Sequence, residues 1–106
     1  MPKYLIVASY TTEGLLGVLE EGGTGRREAV EQLAKSVGGS VESFYFAFGE
    51  EDAFVICDLP DNEAAAAIAL TVSASGRATC RTVPLLTPEQ IDAATKLSPA
   101  YRVPGG

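Results

Sequence analysis

The sequence predicts an α+β domain in which one antiparallel sheet of four strands carries helices on a single face. Short runs rich in β-forming residues alternate with capped helical stretches, and turn signals separate them in the order β-α-β-β-α-β. The chain has 106 residues, enough for one domain to bury a core without disulfides. We therefore expect a single domain over residues 1–96 and an extended tail over residues 97–106.

The first part of the chain predicts a buried strand followed by helix. Lys3–Tyr10 is short, rich in β-formers and apolar on both faces, as in a buried strand. Thr12 can cap a short helix over Glu13–Glu20, although internal glycines weaken that helix. Thr24 is the predicted N-cap of the main helix, because apolar residues then recur at helical spacing as far as Val37, before a pair of glycines.

A hairpin, a second helix, a fourth strand and a last helix complete the order. The predicted elements are strands over Val41–Phe48 and Ala53–Leu59, a helix capped by Asp61, a strand over Ala78–Leu86 and a helix from Thr87 to about Lys96. This order is the ferredoxin-like plan, with strands arranged 4-1-3-2. Cys57 and Cys80 then lie about 9 to 10 Å apart, beyond the roughly 7 Å that a disulfide bridges. We expect both thiols to stay reduced.

Strand register predicts that both faces of the sheet are covered. With a hairpin loop of two or four residues, Phe48 opposes Ala53 and Ser43 opposes Asp58. One face then carries Phe44, Phe46, Phe48, Ala53, Val55 and Cys57, and the other carries Ser43, Tyr45, Ala47, Phe54, Ile56 and Asp58. Helices cover only one face, yet neither is polar, so we expect a homodimer or larger homo-oligomer. A partly polar cavity is expected if the face with Tyr45 meets the partner; alternatively Tyr45 is a core residue with a satisfied hydroxyl.

Composition excludes several classes of function. The net charge of −6 and the absence of a basic stripe argue against nucleic acid or anionic membranes as partners. The chain contains no histidine, so Ser-His-Asp triads, histidine metal sites and a proximal haem histidine are excluded. We expect no resident cofactor and no metal. The apolar run at the start is too short for a signal sequence or a membrane span, which predicts a cytoplasmic protein.

Four segments resemble the GYD domain family of small bacterial proteins: GGTGRREAVEQLAKSVGG, FYFAFGEED, DLPDNEAAAAIAL and TVPLLTPEQ. The resemblance extends to about Asp92 and implies the dimeric α/β-barrel form of the ferredoxin-like fold, with no assigned activity. Gly49 and Asp52 match the Gly-Tyr-Asp signature for which the family is named, whereas Glu51 stands where a tyrosine is usual.

The segment GGTGRR is a candidate anion site. Arg26 and Arg27 lie in the first turn of the predicted main helix, where cations oppose the helix dipole. Glycines, free amides and two guanidinium groups together favour a cradle for an anion or carboxylate. The alternative is that Arg27 pairs with Glu31 and Arg26 with Glu20 or Glu21.

Other candidates lie in the hairpin and at strand ends. Glu50, Glu51 and Asp52 either hold a hard cation or form a solvated turn, and their alternating directions favour the turn. Asp52 is able to accept hydrogen bonds from backbone amides there. Tyr10, at the end of the first strand, is a candidate ligand contact, and so is Arg81 if its face is the one turned toward a partner.

Three hypotheses about function follow. The leading one is a homo-oligomeric protein that binds a small anionic or aromatic ligand between sheet and helices, through Arg26, Arg27, Tyr10 and Arg81. The second is a cofactor-independent oxygenase or isomerase of the barrel type, with Asp52 or Glu50 as base and Tyr10 or Tyr45 as acid. The third is a structural assembly module whose interior is filled by its own side chains.

Overall fold

The computed structural model describes residues 1–106 and confirms the predicted α+β plan. Its elements are β1 (Lys3–Tyr10), α1 (Thr12–Ser36), β2 (Ser40–Phe46), β3 (Ala53–Asp58), α2 (Asn62–Ala74), β4 (Ala78–Leu85) and α3 (Pro88–Thr95). The four strands form one antiparallel sheet in the order β2-β3-β1-β4, which is the ferredoxin-like arrangement. No helix combines the length and the apolar character needed to cross a lipid bilayer.

α1 is divided at Gly22 into two helical segments, as the sequence predicts. It begins at Thr12, and its N-cap is Thr11, whose hydroxyl accepts a hydrogen bond from the Gly14 amide at 3.3 Å. Gly22 departs from helical angles, with φ 80° and ψ 168°, a region open to glycine. The predicted break is therefore confirmed and Thr24 lies two residues after it, whereas the predicted N-cap at Thr12 is wrong because Thr11 caps the first segment.

Close packing explains why Gly23, just after the kink, has no side chain. A Cβ atom there would lie 3.1 Å from the ring of Phe46, so the ring would have to shift. A Cβ atom on Gly25 would meet only the Glu21 side chain, one turn earlier in α1, at 3.0 Å. α1 ends where predicted, with Gly38 in the left-handed conformation at φ 86°.

The start of α1 is attached to the turn before β4. The Thr11 amide donates to the Arg77 carbonyl at 2.9 Å, and the Thr11 hydroxyl donates to the Gly76 carbonyl at 3.0 Å. Any Cβ atom on Gly14 would overlap the Arg77 carbonyl oxygen. These contacts hold the end of β1, and with it Tyr10, in one place.

The hairpin between β2 and β3 is longer than predicted. Its loop comprises residues 47–52, and the Ala47 amide closes it by donating to the Asp52 carbonyl at 2.8 Å. Phe46, and not Phe48, therefore opposes Ala53, and Phe48 lies fully exposed in the loop. The loop still contains an even number of residues, so the strand residues keep their predicted faces.

The longer loop also changes the other predicted pair. Ser43 opposes Ile56 and not Asp58, which is the same two-residue shift that makes Phe46 the partner of Ala53. A bulge between Val41 and Ser43 then shifts the register again, so that Ser40 opposes Asp58, and alternation alone does not reveal it.

The helices cover the face that carries Tyr4 and Cys57. Tyr4 is 3% exposed, and its hydroxyl donates to the Asn62 side-chain oxygen at 2.6 Å. Leu59, Ala64 and Ile68 are among the buried residues packed in the same core. This core joins β1 and β3 to α2, so it fixes the helix layer on one side of the sheet.

The opposite face, here called the open face, carries no helix. Apolar side chains lie on it together with ion pairs near its ends. Lys3 donates to Asp58 at 2.8 Å and to Glu42 at 2.7 Å, and these hydrogen bonds raise the pKa of Lys3 above its ordinary value. Tyr45 is 71% exposed on this face. The open face is therefore apolar with a charged rim.

Both cysteines are free thiols on the helix side of the sheet. Burial raises the pKa of Cys57 to about 11 and also raises the pKa of Cys80. A raised pKa keeps the thiol protonated, and the thiolate is the nucleophilic form.

We predict that Cys57 in the folded protein resists alkylation at pH 8. A rise of two pKa units lowers the thiolate fraction about 100-fold, and burial restricts access further. The measurement is iodoacetamide labelling of a Cys80→Ser variant, folded and in denaturant, followed by mass spectrometry. Labelling of the folded form should speed up as pH rises toward 11. Equal rates in the folded and denatured forms at pH 8 would contradict the prediction.

Candidate functional site

A cavity lies between the sheet and the two main helices. Its volume is about 70 Å³, and 15 of its 16 lining residues are hydrophobic. The strands contribute Ile6, Phe44 and Val55, and α1 and α2 contribute Leu33 and Val72. Arg26 is the one charged residue of the lining, so an apolar interior meets a single cation.

Arg26 follows the kink of α1 and lies at the edge of this cavity. Its side chain is 32% exposed, and its Nη1 atom lies 3.6 Å from a Glu21 carboxylate oxygen. Its Nε atom is buried and has no hydrogen-bond partner. A buried donor without a partner costs about 1–3 kcal/mol. The site therefore favours a molecule that brings an acceptor to this nitrogen.

Tyr10 lies beside Arg26 at the end of β1. The residue is half-buried, and burial raises the pKa of its phenol above the ordinary value. The nearby guanidinium of Arg26 opposes that shift, whereas the carboxylates of Asp52 and Glu21 add to it. Tyr10 thus stays protonated at neutral pH and is a hydrogen-bond donor.

A cleft of about 380 Å³, lined by both polar and apolar residues, adjoins the apolar cavity. Both spaces are lined by Tyr10, Arg26, Leu33 and Val72, whereas the cleft alone is lined by Glu21 and Arg77. The cleft and the cavity consequently meet at Tyr10 and Arg26, which together form the mouth of the cavity. A molecule entering from solvent would pass two hydrogen-bond donors before it reached apolar surface.

Asp52 holds the backbone of Tyr10 in place. Its carboxylate accepts a hydrogen bond from the Tyr10 amide at 2.8 Å, and its own amide donates to the Ala8 carbonyl at 2.9 Å. Asp52 therefore does accept a hydrogen bond from a backbone amide, but that amide lies at the end of β1 and not in the hairpin turn where the sequence predicts it. The carboxylate is absent from the cavity lining, so its contribution is to hold the end of β1.

The three hairpin acids point to different partners. Glu51 lies 3.2 Å from Arg81, Asp52 bonds to Tyr10, and Glu50 is exposed. No group of three or more carboxylate or thiol side chains is placed to hold a metal ion. Glu51 and Asp52 thus point in different directions.

The remaining sequence candidates lie away from the mouth of the cavity. Arg27 is exposed and lines a separate hollow beside Glu31 and Glu42. Arg81 and Tyr45 lie on the open face. The structure thus brings together Tyr10 and Arg26, with Asp52 behind them, and leaves the other candidates apart. The expected alternative pairing of Arg26 with Glu21 is present.

Sequence reasoning missed that only one of the two arginines faces the interior. The signal was available, because Arg26, Val30 and Leu33 recur at the i, i+4, i+7 spacing of one helix face. Arg27 shares its face with Glu31 instead. An arginine on the apolar stripe of a helix indicates a cation directed at the core.

The structure is an α+β domain with an apolar cavity, a hairpin that positions Tyr10, and a capped terminal helix. Residues 4–95 match the family model of the GYD domain. The chain belongs to the GYD domain family. No curated protein and no solved structure matches it. The matched part of this GYD domain contains the whole cavity and α3, and it ends before the tail.

We predict that Asp52→Ala lowers the free energy of unfolding by about 1.5 kcal/mol, the size of one hydrogen bond to a charged group. The Tyr10 amide loses its acceptor in this variant. Urea denaturation followed by circular dichroism measures the change.

Glu50→Ala is the matched control for that experiment. Glu50 is an exposed acid of the same loop, so its loss should change stability by less than about 0.5 kcal/mol. Equal effects of the two substitutions would show that Asp52 does not hold β1.

Proposed function

We propose that this GYD domain binds a short aliphatic carboxylate, with the carboxylate at Arg26 and the alkyl chain in the cavity. One observation carries the proposal: the buried Arg26 Nε atom, without a partner, lies at the mouth of a cavity that is otherwise apolar. This is the pattern of a small-molecule site, in which a few polar groups orient a mostly apolar ligand.

The chemistry of the mouth favours an anion. Arginine presents its N–H donors in a planar fork that matches the two oxygens of a carboxylate. Tyr10, a phenol that is protonated at neutral pH, adds a further donor. The 3.6 Å contact between Arg26 and Glu21 is long for a hydrogen bond and lies at the surface, so a ligand carboxylate can replace Glu21 at little cost.

The size of the cavity favours an alkyl chain over an aromatic ring. An apolar cavity that accepts benzene measures about 150 Å³, roughly twice the volume of about 70 Å³ found here. The sequence alone predicts an anionic or aromatic ligand, and the cavity volume favours an aliphatic anion over an aromatic one. Acids with a chain of a few carbons match the space in both charge and volume.

The geometry supports binding better than catalysis. Of the two candidate bases, Asp52 is bonded to the backbone and Glu50 is exposed, and neither lines the cavity. Tyr45, a candidate acid, lies on the open face. The unfilled cavity also supports a ligand-binding role over a purely structural module.

We also propose that the protein works as a homo-oligomer in the cytoplasm. The open face supports the first part, because apolar Leu5, Phe54 and Ile56 lie on a sheet surface that no helix covers. Two free thiols support the second part, since cytoplasmic proteins keep cysteines reduced.

We predict that short-chain carboxylates such as butyrate raise the melting temperature. A ligand at about ten times its Kd stabilises the native state by about 1.4 kcal/mol, which corresponds to roughly 5 to 10 °C for a domain of this size. Arg26→Gln should abolish the shift, because it removes the charge and the buried donor. Thermal denaturation with a series from acetate to hexanoate, and with benzoate, measures the effect and its size limit.

Three controls sharpen that experiment. Arg27→Gln removes the adjacent, exposed arginine and should keep the full shift. Butyramide, which has the chain without the charge, should give none. Glu21→Gln removes the competing carboxylate and should strengthen binding up to about fivefold. A shift that survives Arg26→Gln, or a panel in which no carboxylate shifts the melting temperature, would exclude the proposed site.

We predict that the purified protein is a dimer or larger assembly at micromolar concentration by light scattering. Tyr45→Asp should weaken the assembly, because it places a charge on the apolar open face. Leu70→Asp is the control, since Leu70 lies on α2 and is 72% exposed against 71% for Tyr45. A monomeric native protein would contradict the oligomer while leaving the carboxylate site untouched.

A further inference from the structure

The last part of the chain leaves the body of the domain. Every residue from Leu86 to Gly106, here called the arm, is exposed, and α3 contains no buried residue. The radius of gyration is 16.8 Å and the longest dimension is 56 Å, whereas a compact domain of this length has a radius of gyration of about 13 Å. The arm therefore projects from the domain, and only its first residues, as far as Gln90, adjoin the start of the chain.

The sequence of the arm nevertheless stabilises a helix at its start. Thr87 and Gln90 form a complete capping box, in which the Gln90 amide donates to the Thr87 hydroxyl at 3.1 Å and the Thr87 amide donates to Gln90 Oε1 at 2.7 Å. A helix of eight residues is only marginally stable alone in water. The capping box stabilises this helix, but a helix of this length needs further contacts. We expect another chain to provide those contacts.

Apolar side chains recur along the arm and lie open to solvent. Leu86 is 62% exposed, Ile91 48%, Leu97 71%, Tyr101 74% and Val103 56%. A tail that only solvates the protein is polar, rich in charge and poor in aromatic and branched residues. The arm instead has the composition of a segment that is buried against a partner.

The exposed area matches the need of a stable dimer. The chain exposes 7262 Å², whereas a compact monomer of this mass exposes about 5,650 Å². The excess is about 1,600 Å² per chain, so two chains that hide it would bury about 3,200 Å² in total. Obligate dimers bury about 2,000 to 5,000 Å².

Charge distinguishes between classes of partner. The arm carries two acids, Glu89 and Asp92, and two bases, Lys96 and Arg102, so its net charge is zero. A neutral arm does not fit nucleic acid or an anionic membrane, which basic segments recognise. It can pack on a copy of this acidic chain without repulsion between like charges.

We infer that the arm packs on a second copy of this chain, and that the two copies exchange arms. The inference rests on the proposed homo-oligomer and specifies its contacts. The arm leaves the sheet from β4, which is an edge strand, so its origin adjoins the open face. In a twofold dimer the arm of each copy packs on the body of the other. The same contact is then formed twice, and no surface is left for a third copy to bind.

The first test compares dissociation of full-length variants by analytical ultracentrifugation. Leu97→Asp combined with Tyr101→Asp should weaken self-association at least tenfold, whereas Leu70→Asp should leave it unchanged. The arm variant should keep the native butyrate affinity, because the cavity is built within one chain. That readout separates loss of the arm contact from misfolding.

Each other outcome of this test has a defined meaning. If Tyr45→Asp dissociates the protein and the arm variant does not, the oligomer stands and arm exchange is overturned. Equal weakening by Leu70→Asp also overturns it, because the effect would not depend on the arm. A native protein that is monomeric overturns both the proposed oligomer and the arm exchange. The carboxylate site is then tested independently by butyrate binding.

The second test locates the arm directly. Tyr101→Cys in a Cys80→Ser background is labelled with a maleimide photo-crosslinker and mixed with ¹⁵N-labelled native chain. Irradiation followed by peptide mass spectrometry should join the arm of the light chain to heavy peptides of the body. Links confined to the same chain would show that the arm folds back on its own domain, and would overturn the exchange. The absence of links to the heavy chain would also overturn it.

Discussion

The end of β1 is the point on which the rest of the structure depends. β1 is paired on both sides, and helix α1 follows it without an intervening loop. The last amides of this segment therefore need acceptors from elsewhere in the chain. Asp52 accepts from Tyr10 and the Arg77 carbonyl accepts from Thr11. These two bonds fix the direction in which α1 leaves the sheet, and thereby the position of Arg26 at the cavity.

Features with a local cause could be predicted from the sequence. Asp61 caps α2 and Thr87 caps α3 because a side-chain oxygen and an amide lie within one turn of each other. Features that depend on distant contacts could not. The Phe46 ring lies close to where a side chain on Gly23 would be, and the β2 bulge depends on its pairing with β3. Neither effect is visible in the spacing of the residues concerned.

The candidate site was predictable in its parts but not in its assembly. Tyr10 and Arg26 were both identified from their residue types and positions, as was Asp52 as a partner of backbone amides. Their meeting depends on the direction that α1 takes after its break at Gly22, and glycine propensity predicts the break but not the direction. Arg27 differs from Arg26 by one position, about 100° around the helix, and this rotation separates an exposed cation from one at the cavity.

Gly22 has a consequence for how the chemistry of the mouth could change during evolution. Its φ of 80° is unfavourable for any residue with a Cβ atom, and Glu21 and Arg26 lie on opposite sides of it. A substitution there would rotate one half of α1 against the other, and so alter the cavity without replacing any residue that lines it. The shape of the cavity is therefore controlled in part by a position that contributes no side chain to its lining.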